Sequence, residues 1–532
     1  MTVEEWSLSD AQRADTIARV RANMSSLAFF RGKPLPPEVV DVEAIAVEKK
    51  AYTVAKVEAR TTTGVRPHSE TLKAYVRKLS ALVIEVVSSG RGSGKGGEAE
   101  DHRDQGQDQD QEVLDLSGAR EFLTRETAEE LLAPMLAQDA KIRKIKFSTK
   151  SFGIEAAEVA AKAIRNVAST LKEADMSDII AGRPEDEALG ALRIISEALG
   201  AAKLQVLNLS DNALGEKGIR ACLEAYKNQP ALESIAFQNV GASVHGCAAL
   251  AETLLKTASL KKFHLLNNMS GDEGAHSIAE ILARCPAIED FKMASSRVGS
   301  EGGIALAKAL EAAGSQLKSL DLHDNPMTSE VAPHLAGLIR RHADLQTLNL
   351  NDTCLGDDGT SIIAEALFAA ASNLERLEME LNEITPSGAQ SLGKALSQKA
   401  QLRYLNLREN ELEDDGALLI ARALNGNSNI EFVDLCTNQL KRGGVCALAK
   451  AVLASPNLKM LALNDNEISE AGIDALKSIL KAGGKLDVLG SLDENCPDDD
   501  EEDEEDEDGE EMDQGGGAEI DALADELRKE HL

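Results

Sequence analysis

Between Ile142 and Leu486 the apolar residues return to the same register every 28 or 29 residues, in eleven of twelve successive intervals. The pattern is plainest at Leu204-Gln-Val-Leu207-Asn-Leu209-Ser-Asp-Asn212-Ala-Leu214, with apolar residues at offsets 0, 3, 5 and 10 and asparagine at offset 8. A unit this short cannot bury its apolar side alone. Stacked neighbours bury it jointly, so a chain of 532 residues can grow unit by unit and escape the size limit of a single globular core.

Each unit reads as a short strand followed by a helix. Offsets 0, 3, 5 and 10 point inward, and glycine at offset 14, from Gly218 to Gly472 in nine units, opens the helix and is expected to admit close strand–helix packing. The fold class is therefore α/β: a leucine-rich-repeat solenoid, a horseshoe with a parallel inner sheet and helices outside. Asn212, Asn268, Asn325, Asn382, Asn410, Asn438 and Asn466 fill offset 8. They read as scaffold, satisfying loop backbone groups.

Composition divides the rest. Residues 1–88 carry helical periodicity (Tyr75, Leu79, Leu82, Ile84, Val87) and hold the single tryptophan, Trp6, which predicts a small all-α domain. Residues 89–112 form a Gly-, Gln- and Asp-rich linker, and the repeats occupy 113–494 after an initial unit at Val113-Leu-Asp-Leu116. Eleven consecutive acids from Asp498 to Asp508 mark 495–517 as a disordered acidic tail, and Ile520, Leu523 and Leu527 share one face of a short amphipathic helix at 518–532. A net charge of −33 argues against nucleic acid as partner. Seven scattered cysteines without a Cys-x-x-Cys pair predict reduced thiols, and the absence of a long apolar run predicts a soluble cytosolic or nuclear protein without membrane insertion.

Two departures from the repeat stand out. The interval from Leu171 to Leu204 is 33 residues, with the surplus around Ala181-Gly-Arg-Pro-Glu-Asp-Glu187. Insertions in solenoids map to loops on one rim, so Arg183 is expected on an exposed loop, free to meet a carboxylate or phosphate, or merely solvating the insertion. In the next unit Val240 takes the ladder position and Asn239 stands one step earlier. Asn239 is either a displaced ladder asparagine or an exposed amide offered to a partner. Offset 7, at the end of each strand, is acidic at Asp178, Asp211, Asp324, Asp352, Glu409 and Asp465, a line of charge that would draw a basic protein surface. No phosphate-binding loop, zinc-protease helix or nucleophile elbow is present, and His264, His276 and His323 are dispersed over different units. The residues alone predict a protein-binding solenoid with no cofactor and no metal.

Three segments carry a more specific likeness: Ser177-Asp-Ile-Ile-Ala-Gly-Arg183-Pro-Glu-Asp-Glu187, Leu209-Ser-Asp-Asn-Ala-Leu-Gly-Glu-Lys-Gly-Ile-Arg220 and Asn267-Asn-Met-Ser-Gly-Asp-Glu-Gly274. With them the chain resembles the Ran GTPase-activating proteins of plant and green-algal type. Ile45-Ala-Val-Glu-Lys-Lys-Ala-Tyr52 and Tyr75-Val-Arg-Lys-Leu-Ser-Ala-Leu82 are similar to the WPP domain of plant members, although its Trp-Pro-Pro reads Trp6-Ser7-Leu8 here. The resemblance implies an activator without an active site of its own, acting on GTP and Mg²⁺ held by Ran and supporting nucleocytoplasmic transport and mitosis. It implies Asn239 as the residue that orients the GTPase's glutamine. Arg183 is the family's required arginine, supporting the interface or the local fold; the lysine that fungal members place two residues further on is Glu185 here. Asp178, Asp211, Asn267, Asp324 and Asp352 complete the expected partner-binding edge. Ran-GTP is the implied partner, with a Ran-binding protein and envelope anchors as further ones, and the implied location is cytoplasmic, concentrated at the outer nuclear envelope. The rival reading is a non-catalytic scaffold or inhibitor of the ribonuclease-inhibitor kind.

Overall fold

In the computed structural model the described residues are 112–313 and 317–495, together with 43–52 and single positions between Arg13 and Val83. Two compact units divide between Asp104 and Gln105. The described positions of the first are all helical, around a core of Val20, Met24, Val40, Ala44, Val47, Ala51, Tyr75, Leu82 and Val83. Buried Glu48 is neutralised there by Arg13, which donates from Nε at 2.8 Å and Nη2 at 2.6 Å and stacks over Tyr52. The Tyr75 hydroxyl donates to the same carboxylate at 3.1 Å. Residues 89–111 of the linker, 496–517 of the acidic tail, the C-terminal amphipathic stretch and Trp6 lie outside the described residues.

The second unit is the solenoid. Its strands are β1 (Val113–Asp115), β2 (Glu121–Leu123), β3 (Lys144–Lys146), β4 (Lys150–Phe152), β5 (Glu173–Asp175), β6 (Val206–Asn208), β7 (Ser234–Gln238) and β8 (Lys262–Leu266). They continue as β9 (Asp290–Ala294), β10 (Ser319–Asp321), β11 (Thr347–Asn349), β12 (Arg376–Glu378), β13 (Tyr404–Asn406), β14 (Phe432–Asp434) and β15 (Met460–Ala462). Thirteen of them form one sheet in which every pairing is parallel, running β1, β3 and then β5 to β15 in sequence order, while β2 and β4 form a separate parallel pair. Sequential parallel strands need a crossover, and a helix supplies it in each repeat.

The alternation within each strand explains the stacking. Leu207, Ile235, Phe263, Phe291, Leu320 and Leu348 at offset 3 are fully buried with Leu209, Phe237, Leu265, Met293, Leu322 and Leu350 at offset 5. Offset 4 between them faces away from the helices, as the two-residue period of a strand requires.

The offset-8 ladder is built as expected. Asn268 Oδ1 accepts from the backbone N–H groups of Val240 at 3.2 Å and Ala242 at 3.0 Å, and its Nδ2 donates to Phe237 O at 2.9 Å. Asn212, Asn325, Asn382, Asn410 and Asn466 close the loop of the preceding repeat in the same way, while Asn438 reaches it only through Nδ2 to Leu407 O at 2.9 Å, its buried Oδ1 accepting no bond. The offset-14 glycines admit two close approaches. A Cβ on Gly218 would stand 2.8 Å from Leu214 and one on Gly416 3.1 Å from Leu412, the offset-10 residues of their own repeats. One on Gly302 would stand 2.8 Å from Ala275, and one on Gly444 3.0 Å from Ala417, on the helix of the preceding repeat.

Candidate functional site

The edge where the strands end is organised by one backbone feature. Offset 7 has a left-handed φ in all twelve repeats: Thr149, Asp178, Asp211, Asn239, Asn267, Ser295, Asp324, Asp352, Leu381, Glu409, Thr437 and Asp465. Each strand turns out of the sheet through this residue, and asparagine and aspartate tolerate the conformation better than other residues with a Cβ. Asn239, with φ of 52°, is therefore at the ordinary rim position. Val240 fills the ladder site beside it, fully buried. Of the two readings of Asn239, the displaced ladder residue is excluded by this geometry and the exposed amide remains.

The sheet is longest here. β7, β8 and β9 each have five residues, and their pairing runs on through Gln238, Leu266 and Ala294, immediately before the rim. The rim backbone is tied to the next strand as well: Asp211 N–H donates to Gln238 O at 2.8 Å, Asn239 N–H to Leu266 O at 2.6 Å and Asn267 N–H to Ala294 O at 3.1 Å. The side chains of these three consecutive rim residues are exposed and joined. Asn267 Nδ2 donates to Asn239 Oδ1 at 3.1 Å, and Asn239 Nδ2 donates to Asp211 Oδ1 at 3.2 Å.

The other expected contacts fall on the same edge in different states. Asp178 is ion-paired with Arg120. Asp324 is exposed and Asp352 half-buried; burial first, then the charges of Asp324 and Glu409, push the Asp352 carboxyl above its ordinary value. This stretch is an edge of mutually repelling carboxylates.

Arg183 does not stand free on an exposed loop, as the long interval alone suggested. Its side chain is only 15% exposed, and the insertion folds it inward. Its Nη2 donates to Ser151 O at 2.8 Å and Leu123 O at 3.2 Å, Nε donates to Ser151 Oγ at 3.0 Å, and Nη1 meets Glu187 at 3.2 Å. The guanidinium also lies over the Phe122 ring, 5.2 Å from its centroid. Arg183 thus pins the insertion to the β2–β4 pair and is not free to meet an outside anion. The insertion itself does reach the rim: Ile180, Arg183 and Glu185 are among the residues that, with Asp211, Glu216 and Lys217, line an open groove of 690 Å³. Lys217 spans it to Glu185 at 2.7 Å.

Sequence spacing showed the histidines as dispersed, whereas stacking brings His264 onto a carboxylate of the next repeat, and His323 meets one two residues away in its own repeat. His264 Nε2 lies 2.9 Å from Asp290 Oδ1, with Lys262 also at 2.9 Å from the same carboxylate. His323 Nδ1 lies 2.6 Å from Asp321, which Lys292 pairs at 2.7 Å. Burial raises the Asp290 carboxyl, but His264 and Lys262 outweigh it and hold the group down at about 2.

A parallel sheet of stacked strand–helix units with a polar left-handed rim defines a leucine-rich-repeat protein, and residues 201–221, 342–364, 370–393 and 400–421 match the family model described as "Leucine Rich repeat". Among whole proteins the chain resembles the plant Ran GTPase-activating proteins. It is 38% identical over 241 residues to RAN GTPase-activating protein 1 of Arabidopsis thaliana, covering 44% of this chain and 43% of that one. It is likewise 38% identical over 238 residues to RAN GTPase-activating protein 2 of the same plant, with 44% and 43% covered. The ribonuclease inhibitor of Sus scrofa is 26% identical over 201 residues, 38% of each chain. The match thus spans less than half the length of these relatives.

Proposed function

We propose that the chain is a GTPase-activating protein for Ran, working by orienting the GTPase's own catalytic groups and contributing no separate active site. The observation that carries this reading is Asn239: an exposed carboxamide, held on the most extended part of the sheet edge, in a chain similar to two proteins named for this activity.

Phosphoryl transfer to water asks little covalent chemistry of a protein. The GTPase already holds the nucleotide and Mg²⁺, and what remains is positioning and charge stabilisation. An activator acting on a small GTPase can supply about 10⁵-fold, roughly 7 kcal/mol of barrier. Immobilising a glutamine that aligns the attacking water, and shutting other water out, is work that a neutral amide can do. Arg183, turned inward, supports the rim from behind. Asp178, Asp211, Asn267, Asp324 and Asp352 face the partner along the same edge. The helical N-terminal unit would recruit the chain to an anchor at the outer nuclear envelope from the cytoplasmic side, and a Ran-binding protein would share Ran with the solenoid.

The test is single-turnover hydrolysis of GTP on Ran with saturating protein. Asn239→Ala should slow it at least about 10²-fold while leaving the fold intact. Equal rates for the wild type and the variant would remove the assignment, and a wild type that binds Ran without acceleration would favour an inhibitor-like scaffold.

A further inference from the structure

A carboxamide has two ends of nearly equal size and opposite chemistry. Rotation by half a turn about its last bond exchanges donor for acceptor, and an exposed side chain does this within picoseconds to nanoseconds. A residue that must present one end to a partner needs something to set its direction.

We propose that Asp211 and Asn267 are positioning residues that fix which way the Asn239 carboxamide faces. This rests on the activator reading above and assigns to the two neighbours a task beyond partner contact. The argument begins at Asp211. An ionised carboxylate only accepts, so the end of Asn239 turned toward it must be the NH₂, and Asn239 Nδ2 does donate to Asp211 Oδ1 at 3.2 Å. The opposite end, Oδ1, then needs a donor, and Asn267 Nδ2 provides it at 3.1 Å. Polarity therefore runs one way, from Asn267 through Asn239 to Asp211, set by the one member that cannot donate. The geometry is rigid because the three residues hold the same backbone conformation, with φ of 59°, 52° and 53° for Asp211, Asn239 and Asn267. Each backbone N–H is also bonded to the following strand. The pairing leaves Asn239 one N–H and one lone pair for the partner, in a fixed order along the rim.

Exchanging the neighbours tests this without altering charge. In the double variant Asp211→Asn, Asn267→Asp the carboxylate sits on the other side and turns the amide round. Both substitutions keep residue types that accept a left-handed φ, so an unchanged melting temperature is expected. Single-turnover hydrolysis on Ran is then read as maximal rate and half-saturating concentration. The double variant should lose at least about 30-fold in maximal rate, approaching Asn239→Ala, because a required donor now faces away. Asp211→Asn alone, which leaves the direction unset, should lose about 3- to 10-fold in maximal rate, over and above any rise in half-saturation from its place on the partner-facing edge. Asn267→Gly, which removes the donor and adds no charge, should behave like Asp211→Asn. A double variant with the wild-type maximal rate overturns the proposal, as does a change confined to half-saturation. If Asn239→Ala is inactive while the double variant is active, this inference fails and the activator reading stands. If the wild type does not accelerate hydrolysis, both fall.

Discussion

Arg183 Nη2 donates to the main-chain oxygen of Ser151 at 2.8 Å, a bond between residues 32 apart that ties the insertion to the edge of the solenoid. A second bond from the same nitrogen reaches Leu123 O, 60 residues away. One guanidinium nitrogen thus satisfies two carbonyls from different repeats, while Nε and Nη1 hold Ser151 Oγ and Glu187. Arg183→Ala should therefore cost about 2–4 kcal/mol of local stability, since it strands buried acceptors as well as losing charge-assisted bonds. Hydrogen exchange at 121–123 and 150–152 should accelerate while the amides of β10 to β15 stay protected. Arg183→Lys keeps the charge and should remain defective. Restored protection in the lysine variant would show that charge, and not the fork, is what matters.

Asp290 predicts an acid limb of stability. Its folded carboxyl titrates at about 2, against an ordinary value near 4, because His264 and Lys262 hold the ionised form. A depressed carboxyl contributes stability that is present above its unfolded value and lost as pH falls through its folded one. The window therefore lies between pH about 4 and about 2, and the contribution just above it is about 2 kcal/mol. Asp290→Asn should be less stable than wild type at about pH 5 and nearly equal to it at the acid end of that window. Urea denaturation at several pH values checks this, and parallel curves would refute the linkage.

The rim acids should act on encounter more than on chemistry. Asp324 and Asp352 lie on one edge, and burial together with mutual repulsion raises the Asp352 carboxyl. Neutralising both, as Asp324→Asn with Asp352→Asn, should slow association with GTP-loaded Ran about 5-fold at low salt, with the difference vanishing by about 0.5 M salt. The maximal single-turnover rate should hold. Stopped-flow association at several ionic strengths separates the two effects, and a salt-independent loss would mean direct contact.

The repeat architecture was legible because stacking enforces it residue by residue. Every offset-8 asparagine that the period marked is buried in the ladder. The conformation of Asn239 was not legible, since aspartate and asparagine at offset 7 look like ordinary surface polarity until φ is known. Arg183 was misplaced for a different reason. An interval of 33 residues announces a loop but says nothing about what it folds against, and its acceptors lie in other repeats. A second polar ladder, in the turns between each helix and the next strand, went unseen because its chemistry varies. Gln229, Thr257, His342, Lys399, Asn427 and Ser455 all bond backbone carbonyls of neighbouring repeats. Lys399 is 2% exposed, and burial brings its ammonium down to about 8. Identity at a position is easy to count; a shared task done by different side chains is not.

The twelve left-handed turns also bear on how such a protein could be retargeted. Where the main chain itself favours asparagine and aspartate, exchanging one for the other replaces a carboxamide with a carboxylate at little conformational expense. Neighbouring turns are one strand spacing apart, about 4.8 Å. Relocating the amide from 239 to a position such as Asp324 would thus slide it along a ruler of fixed increments, with the scaffold untouched. Partner choice in this fold can drift by single-letter changes that stability scarcely registers.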